Sequence, residues 1–185
     1  RRTPVRVYGH TDRVTGLGTP FDSAGVSVVD DTGAAIGNTD ALFDTDGHLE
    51  ARVGGADGLP LAILPGHQVQ VASTSDSASV EVEELDFDFD RGNGLVGRAP
   101  PGRNVVIKIR LDDDRQLSLV RVADGNGAFL FRPGDVSPRA TWDIDDVTWV
   151  EMVYATASGH EMAAEVDIGR REWPAVFVPF AAARR

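Results

Sequence analysis

Period-two alternation dominates the chain, and it is broken by clusters of Gly, Asp, Asn and Pro rather than by stretches at helical spacing. Val26, Val28 and Ile36 flank the turn Asp30-Asp31-Thr32-Gly33, Val69 and Val71 alternate with Gln68 and Gln70, and Val80 and Val82 alternate with Glu81 and Glu83. Further on, Val105, Ile107, Ile109 and Leu111 alternate with Asn104, Val106, Lys108 and Arg110 before the turn Asp112-Asp113-Asp114 and the apolar positions Leu117, Leu119 and Val122. One buried face and one wetted face per segment is the signature of half-buried strands, so the pattern predicts an all-β fold.

The strands come in a repeat of about eighty residues, and a repeat sets the unit of the fold. Val14-Thr15-Gly16 followed by Pro20 matches Leu95-Val96-Gly97 followed by Pro101. Val26-Ser27-Val28 matches Val105-Val106-Ile107, and Asp46-Gly47-His48-Leu49 matches Asn126-Gly127-Ala128-Phe129. Ile63 falls near Ile144, and the closing strand Ser79–Glu83 falls near Met162–Asp167. The expected organisation is a module over residues 1–83, a second over 84–169, and a C-terminal strand-like tail over 170–185. The join near Glu83–Asp86 is short, which predicts a restricted, rod-like arrangement.

The order of landmarks, x-Val-x-Gly-x-x-Pro, a hairpin, Asp-Gly-x-Phe/Leu, a polar strand pair and a final alternating strand, resembles the Ig-like repeats of bacterial secreted and surface proteins. Related patterns occur in carboxypeptidase-regulatory-like and collagen-adhesin B-type domains. The resemblance covers most of residues 3–168 and implies two tandem Ig-like β-sandwich modules, an extracellular or cell-surface location and a structural or adhesive role. Some collagen-adhesin-like modules carry a lysine–asparagine isopeptide bond, which needs a buried lysine. The alternation puts Lys108, the only lysine, on the face opposite Ile107 and Ile109, so no such bond is expected.

Composition narrows the partners. A hydrophobic content of 42% is ordinary for a folded chain, while the net charge of −11 disfavours nucleic acid and anionic membrane, both of which select basic surfaces. Neither half is basic when the chain is divided after residue 83. No run approaches the roughly eighteen apolar residues of a membrane-spanning helix. Cysteine is absent, which removes disulfides, thiolate metal sites and a cysteine nucleophile.

The candidate chemistry is sparse. Asp44, Asp46, Asp112 and Asp114 have the carboxylate-rich composition that a calcium ion takes, although Asp and Gly are equally the residues of tight turns. Asp86, Asp88 and Asp90 alternate with Phe87 and Phe89, which predicts a strand with its aspartates in water. His10, His48, His67 and His160 each adjoin a turn residue and form no metal-binding spacing, so all four are expected to face solvent. Ser73 to Ser79 reads as a polar hairpin tip, and it lacks the G-x-S-x-G elbow of a hydrolase. Trp142, beside Asp143, Asp145 and Asp146, is the best-placed aromatic for stacking on a sugar. No catalytic residue and no cofactor other than that calcium are expected.

The segment Trp173-Pro174-Ala175-Val176-Phe177-Val178-Pro179-Phe180 is the most apolar in the chain and lies outside both repeats. Its residues Trp173, Val176, Phe177, Val178 and Phe180 suit a strand laid on the open edge of a neighbouring sheet. The leading expectation is therefore a non-enzymatic structural or assembly module that self-associates or packs on neighbouring modules. A carbohydrate-binding or adhesive module, or an accessory fragment of a larger secreted hydrolase, is the alternative.

Overall fold

The computed structural model describes residues 4–90, 94–135 and 144–168, and every element longer than one helical turn is a β-strand. None of the described helical turns is long or apolar enough to cross a membrane. The first half holds β1 (Val5–Tyr8), β2 (Arg13–Leu17), β3 (Ser23–Val29), β4 (Ala35–Leu42), β5 (His48–Arg52), β6 (Gly54–Gly55), β7 (Gln68–Ser73) and β8 (Ser77–Glu81). The second half holds β9 (Asp86–Asp90), β10 (Gly94–Arg98), β11 (Asn104–Leu111), β12 (Gln116–Val122), β13 (Ala128–Phe131), β14 (Val147–Ala155) and β15 (Glu161–Asp167).

Strand order repeats between the halves. The first half contributes the orders β1-β2-β5 and β4-β3-β7-β8, with the two-residue β6 added beside β4, and the second contributes β9-β10-β13 and β12-β11-β14-β15. The Asp-Gly landmark is the same hairpin turn twice. Asp44 Oδ1 accepts the N–H groups of Asp46 at 2.9 Å and His48 at 2.8 Å, and Asp124 Oδ1 accepts those of Asn126 at 2.8 Å and Ala128 at 2.9 Å. Glycine is required next in both turns. Gly47 and Gly127 have φ of 79° and 79°, and a Cβ would stand 2.4 Å from Gly18 O in one and 2.6 Å from Ala99 O in the other.

The halves then join in a way the repeat does not announce. β1 pairs in parallel with β15, in the register Arg6↔Glu161, Val7↔Met162 and Tyr8↔Ala163, so that one seven-stranded sheet runs β12-β11-β14-β15-β1-β2-β5 through both. A single apolar cluster accompanies it, from Val28 and Leu49 in the first half to Ile109 and Met152 in the second. The rod expected from the short join is thus corrected to lateral sheet sharing, because the outer edge of β1 has found a partner strand. The join itself is anchored: Val82 and Leu85 are buried, and the Tyr154 hydroxyl donates to Glu83 Oε2 at 3.0 Å.

Candidate functional site at the seam

Alternation along β1 turns Val5 and Val7 inward and Arg6 and Tyr8 outward; along β15 it turns Met162 and Ala164 inward and Glu161, Ala163 and Glu165 outward. Outward does not here mean wet. Tyr8 and Ala163 are neighbours in the register, and with Val153 of β14 they make a small apolar patch of their own on the outer face. The small Ala163 side chain leaves room for the tyrosine ring.

Glu151 is the centre of this face. It lies on β14 between Val150 and Met152, its side chain is 7% exposed, and its carboxylate takes Arg6 Nη1 at 3.0 Å, Lys108 Nζ at 2.7 Å and the Tyr8 hydroxyl at 3.2 Å. A buried carboxylate is tolerable only with such partners. Arg6 bonds Glu161 across the seam at 2.6 Å as well. Burial works against the Arg6 charge, but the bonds to Tyr8 and Glu161 and the charges of Glu161 and Glu151 outweigh it, so its proton is held more tightly than in free arginine. Lys108, on the outer face as its alternation requires, is engaged as an ion pair.

The network continues along the strands. The Arg13 guanidinium lies over the Tyr8 ring at 4.4 Å and bonds Glu165 at 2.7 Å, and Glu165 also accepts the Trp149 indole N–H at 2.8 Å. Arg110 stacks on the other side of that connection, 5.2 Å from the Trp149 ring. Residues of β1, β2, β11, β14 and β15 are thereby tied across the boundary of the repeat.

One histidine corrects its sequence reading. His160 is 5% exposed rather than solvent-facing, and its Nδ1 accepts the Val5 N–H at 3.3 Å. The turn that holds it abuts the start of β1, and that contact buries the ring. His10 and His48 are exposed as expected, and His67 is half-buried, its Nδ1 accepting the Leu64 N–H at 3.2 Å.

The carboxylates singled out for calcium are dispersed. Asp44 is occupied with its turn, and the His48 N–H, followed by that of Asp46, holds its carboxyl below the usual range. Asp46 lies in that turn, and Asp112 and Asp114 in the β11–β12 turn, where Asp114 adopts φ of 63°. Among the described residues no group of three or more His, Asp or Glu side chains converges as a metal site would require. Asp86 and Asp88 sit on a strand with Phe87 and Phe89 packed against the core, although Asp86 is half-buried and its carboxyl is raised by desolvation and by the charge of Glu84. Ser73 to Ser79 is the β7–β8 hairpin, with Thr74 and Ser75 bonded to Asp22. An open hollow of about 740 Å³ borders the seam, lined by Arg6, Thr15, Leu17, Leu42, His48 and Glu161 among others. Trp142 and the tail residues Trp173, Val176, Phe177, Val178 and Phe180 lie outside the described residues.

No family model matches the chain, and no curated protein matches it. Among solved structures it is similar to a tetra-tandem repeat in the extending region of a large adhesion protein, at 12% identity and a TM-score of 0.29 over 89% of this chain and 49% of that one. It is similar also to a structure described as giving insight into the host cell surface retention of a 1.5-MDa bacterial ice-binding adhesin, at 14% identity and a TM-score of 0.28 over 89% of this chain and 62% of that one. The chain thus spans from about half to under two thirds of the lengths it matches.

Proposed function

We propose that the chain is a non-enzymatic structural unit of a bacterial extracellular or cell-surface protein, in which two Ig-like sandwiches act together as a stiff spacer between neighbouring modules. The observation that carries this reading is the seam. A seven-stranded sheet with a buried carboxylate at its centre and an anchored join fixes the halves relative to one another, which is what a spacer requires and a reactive cleft does not. The sequence resemblance to surface-protein repeats supports the location. Protease treatment of intact source cells should release peptides of this chain; retention of every peptide inside the cells overturns the reading.

The finer form of the proposal is self-association by strand exchange, with the tail over 172–185 as donor. Its support is the apolar run holding Val176, Phe177, Val178 and Phe180 together with an available acceptor. β12 ends the seven-stranded sheet, and its Val120 and Val122 are 52% and 61% exposed. Comparing the solution mass of the intact chain with that of a chain lacking 172–185 tests this. Larger species should vanish on truncation, and an unchanged mass distribution overturns tail exchange while leaving the spacer reading in place.

A further inference from the structure

We propose that the β1–β15 seam is a mechanical clamp, so that this unit resists tension applied along the chain. The inference rests on the spacer reading, since a spacer between surface modules carries whatever force they exert on each other. Its physical content is separate, and comes from the direction in which the two strands run.

Among the described residues the first strand of the sheet begins at Val5 and the last ends at Asp167, and these two strands lie side by side and point the same way. Tension drags β1 back toward its own start and β15 forward toward its own end. The strands are therefore driven past each other along their axes, and the rungs at Arg6↔Glu161, Val7↔Met162 and Tyr8↔Ala163 bear the load together. In a hairpin such as β7–β8 opened from its free ends, rungs would instead break one after another.

Three features reinforce the seam. β1 is held on its other side by β2, at Val5↔Gly16, Arg6↔Thr15 and Val7↔Val14, so sliding it out breaks two ladders at once. Side chains pin both strands against sliding: Arg6 bonds Glu161 on β15 and Glu151 on β14, and Val5 N–H bonds His160 immediately before β15. Gly9 N–H extends the seam by bonding Ala163 O at 2.9 Å. On the inner face Val7 and Met162 are fully buried, so water cannot readily replace a rung as it lengthens. Resistance to force is a property of the unfolding rate, which such a simultaneous barrier slows.

The absence of cysteine permits a clean test by single-molecule stretching, because engineered cysteines become the only attachment points. One variant carries Pro4→Cys and Asp167→Cys, which loads the seam along its strands. A second carries Glu50→Cys and Ser118→Cys on the edge strands β5 and β12, which pulls the same sheet across its strands. All four positions are exposed. The first geometry should give one rupture event at several-fold higher force than the second, and adding Arg6→Ala should lower the first force. Equal forces in the two geometries, or no response to Arg6→Ala in a variant that equilibrium unfolding shows to be folded, overturns the clamp. That outcome leaves the spacer reading to stand or fall on surface exposure.

Discussion

Phe21 holds the left-handed backbone conformation that Gly102 holds at the equivalent turn of the second half, with φ of 63° and 77°. Their N–H groups make the same bond, to Phe43 O at 3.1 Å and to Ala123 O at 3.0 Å. A side chain in this conformation costs roughly 1–2 kcal/mol, while glycine gives back roughly 0.5–1 kcal/mol through the freedom of the unfolded chain. Because the Phe21 ring is 72% exposed, its removal sacrifices little packing. Phe21→Gly should therefore stabilise the protein by about 0.5 kcal/mol, and Gly102→Ala should destabilise it by about 1 kcal/mol. Urea unfolding of both variants checks the opposite signs.

Glu151 joins β14 to both Lys108 of β11 and Arg6 of β1. Glu151→Ala removes the acceptor shared by three donors and should cost about 1–3 kcal/mol, less than for a fully buried pair because Arg6 and Lys108 keep partial access to water. Glu151→Gln retains the shape and loses the charge, so it should fall between the alanine variant and the parent. Thermal unfolding at low salt provides the ranking.

Acid should weaken the fold from several turns at once. Hydrogen bonds from Thr74 to Asp22, from Thr32 to Asp30, from the His48 N–H to Asp44, from Arg115 to Asp113 and from Arg121 to Asp135 hold these carboxyls below the usual range. A folded-state pKa below the unfolded one means that the unfolded chain binds protons first, so stability is complete above about pH 4 and declines as pH falls further. Asp86 has the opposite sign. Its raised pKa means that ionisation opposes folding as pH climbs through its range, so Asp86→Asn should raise the melting temperature at neutral pH. Melting curves from pH 2 to pH 7 test both statements.

The shared sheet and single apolar cluster predict that residues 4–83 and 84–168 will not fold separately to native stability. Circular dichroism and amide exchange of each excised half should show frayed or absent sheet, whereas a mixture of the two regains protection at β1 and β15. Leu85, buried in the join, gives a milder probe. Leu85→Ala should cost about 2–5 kcal/mol in the intact chain.

Much of this architecture is legible in the sequence because strand pattern and turn chemistry are local. The Asp-Gly hairpins, the β11–β12 alternation and the outward Lys108 all follow from residues within one or two turns of each other. The seam does not. Val5-Arg6-Val7-Tyr8 reads as an ordinary short strand, and nothing in it or in Glu161–Asp167 records that the two pair across an intervening chain of about 150 residues. For the same reason the buried state of His160 is invisible, since it is conferred by Val5. Compensating core exchanges are equally obscure in one chain. A Cβ on Gly18 would stand 2.5 Å from the Phe43 ring, whereas the second half holds Ala99 and Ala123 at those positions and brings its ring in from Phe129, 2.2 Å from where a Cβ on Gly97 would stand.

The parallel pairing of β1 with β15 also orders events during synthesis. Arg6 emerges from the ribosome 155 residues before Glu161 does, an interval of roughly 8–30 s at about 5–20 residues per second. For the later part of that time, once residues up to about 83 are made, the first half presents an unpaired strand edge while its own core residues are already available to collapse. The edge of β1 is therefore satisfied only after β15 has been made, so of the strand pairings in the shared sheet this one waits longest for its partner.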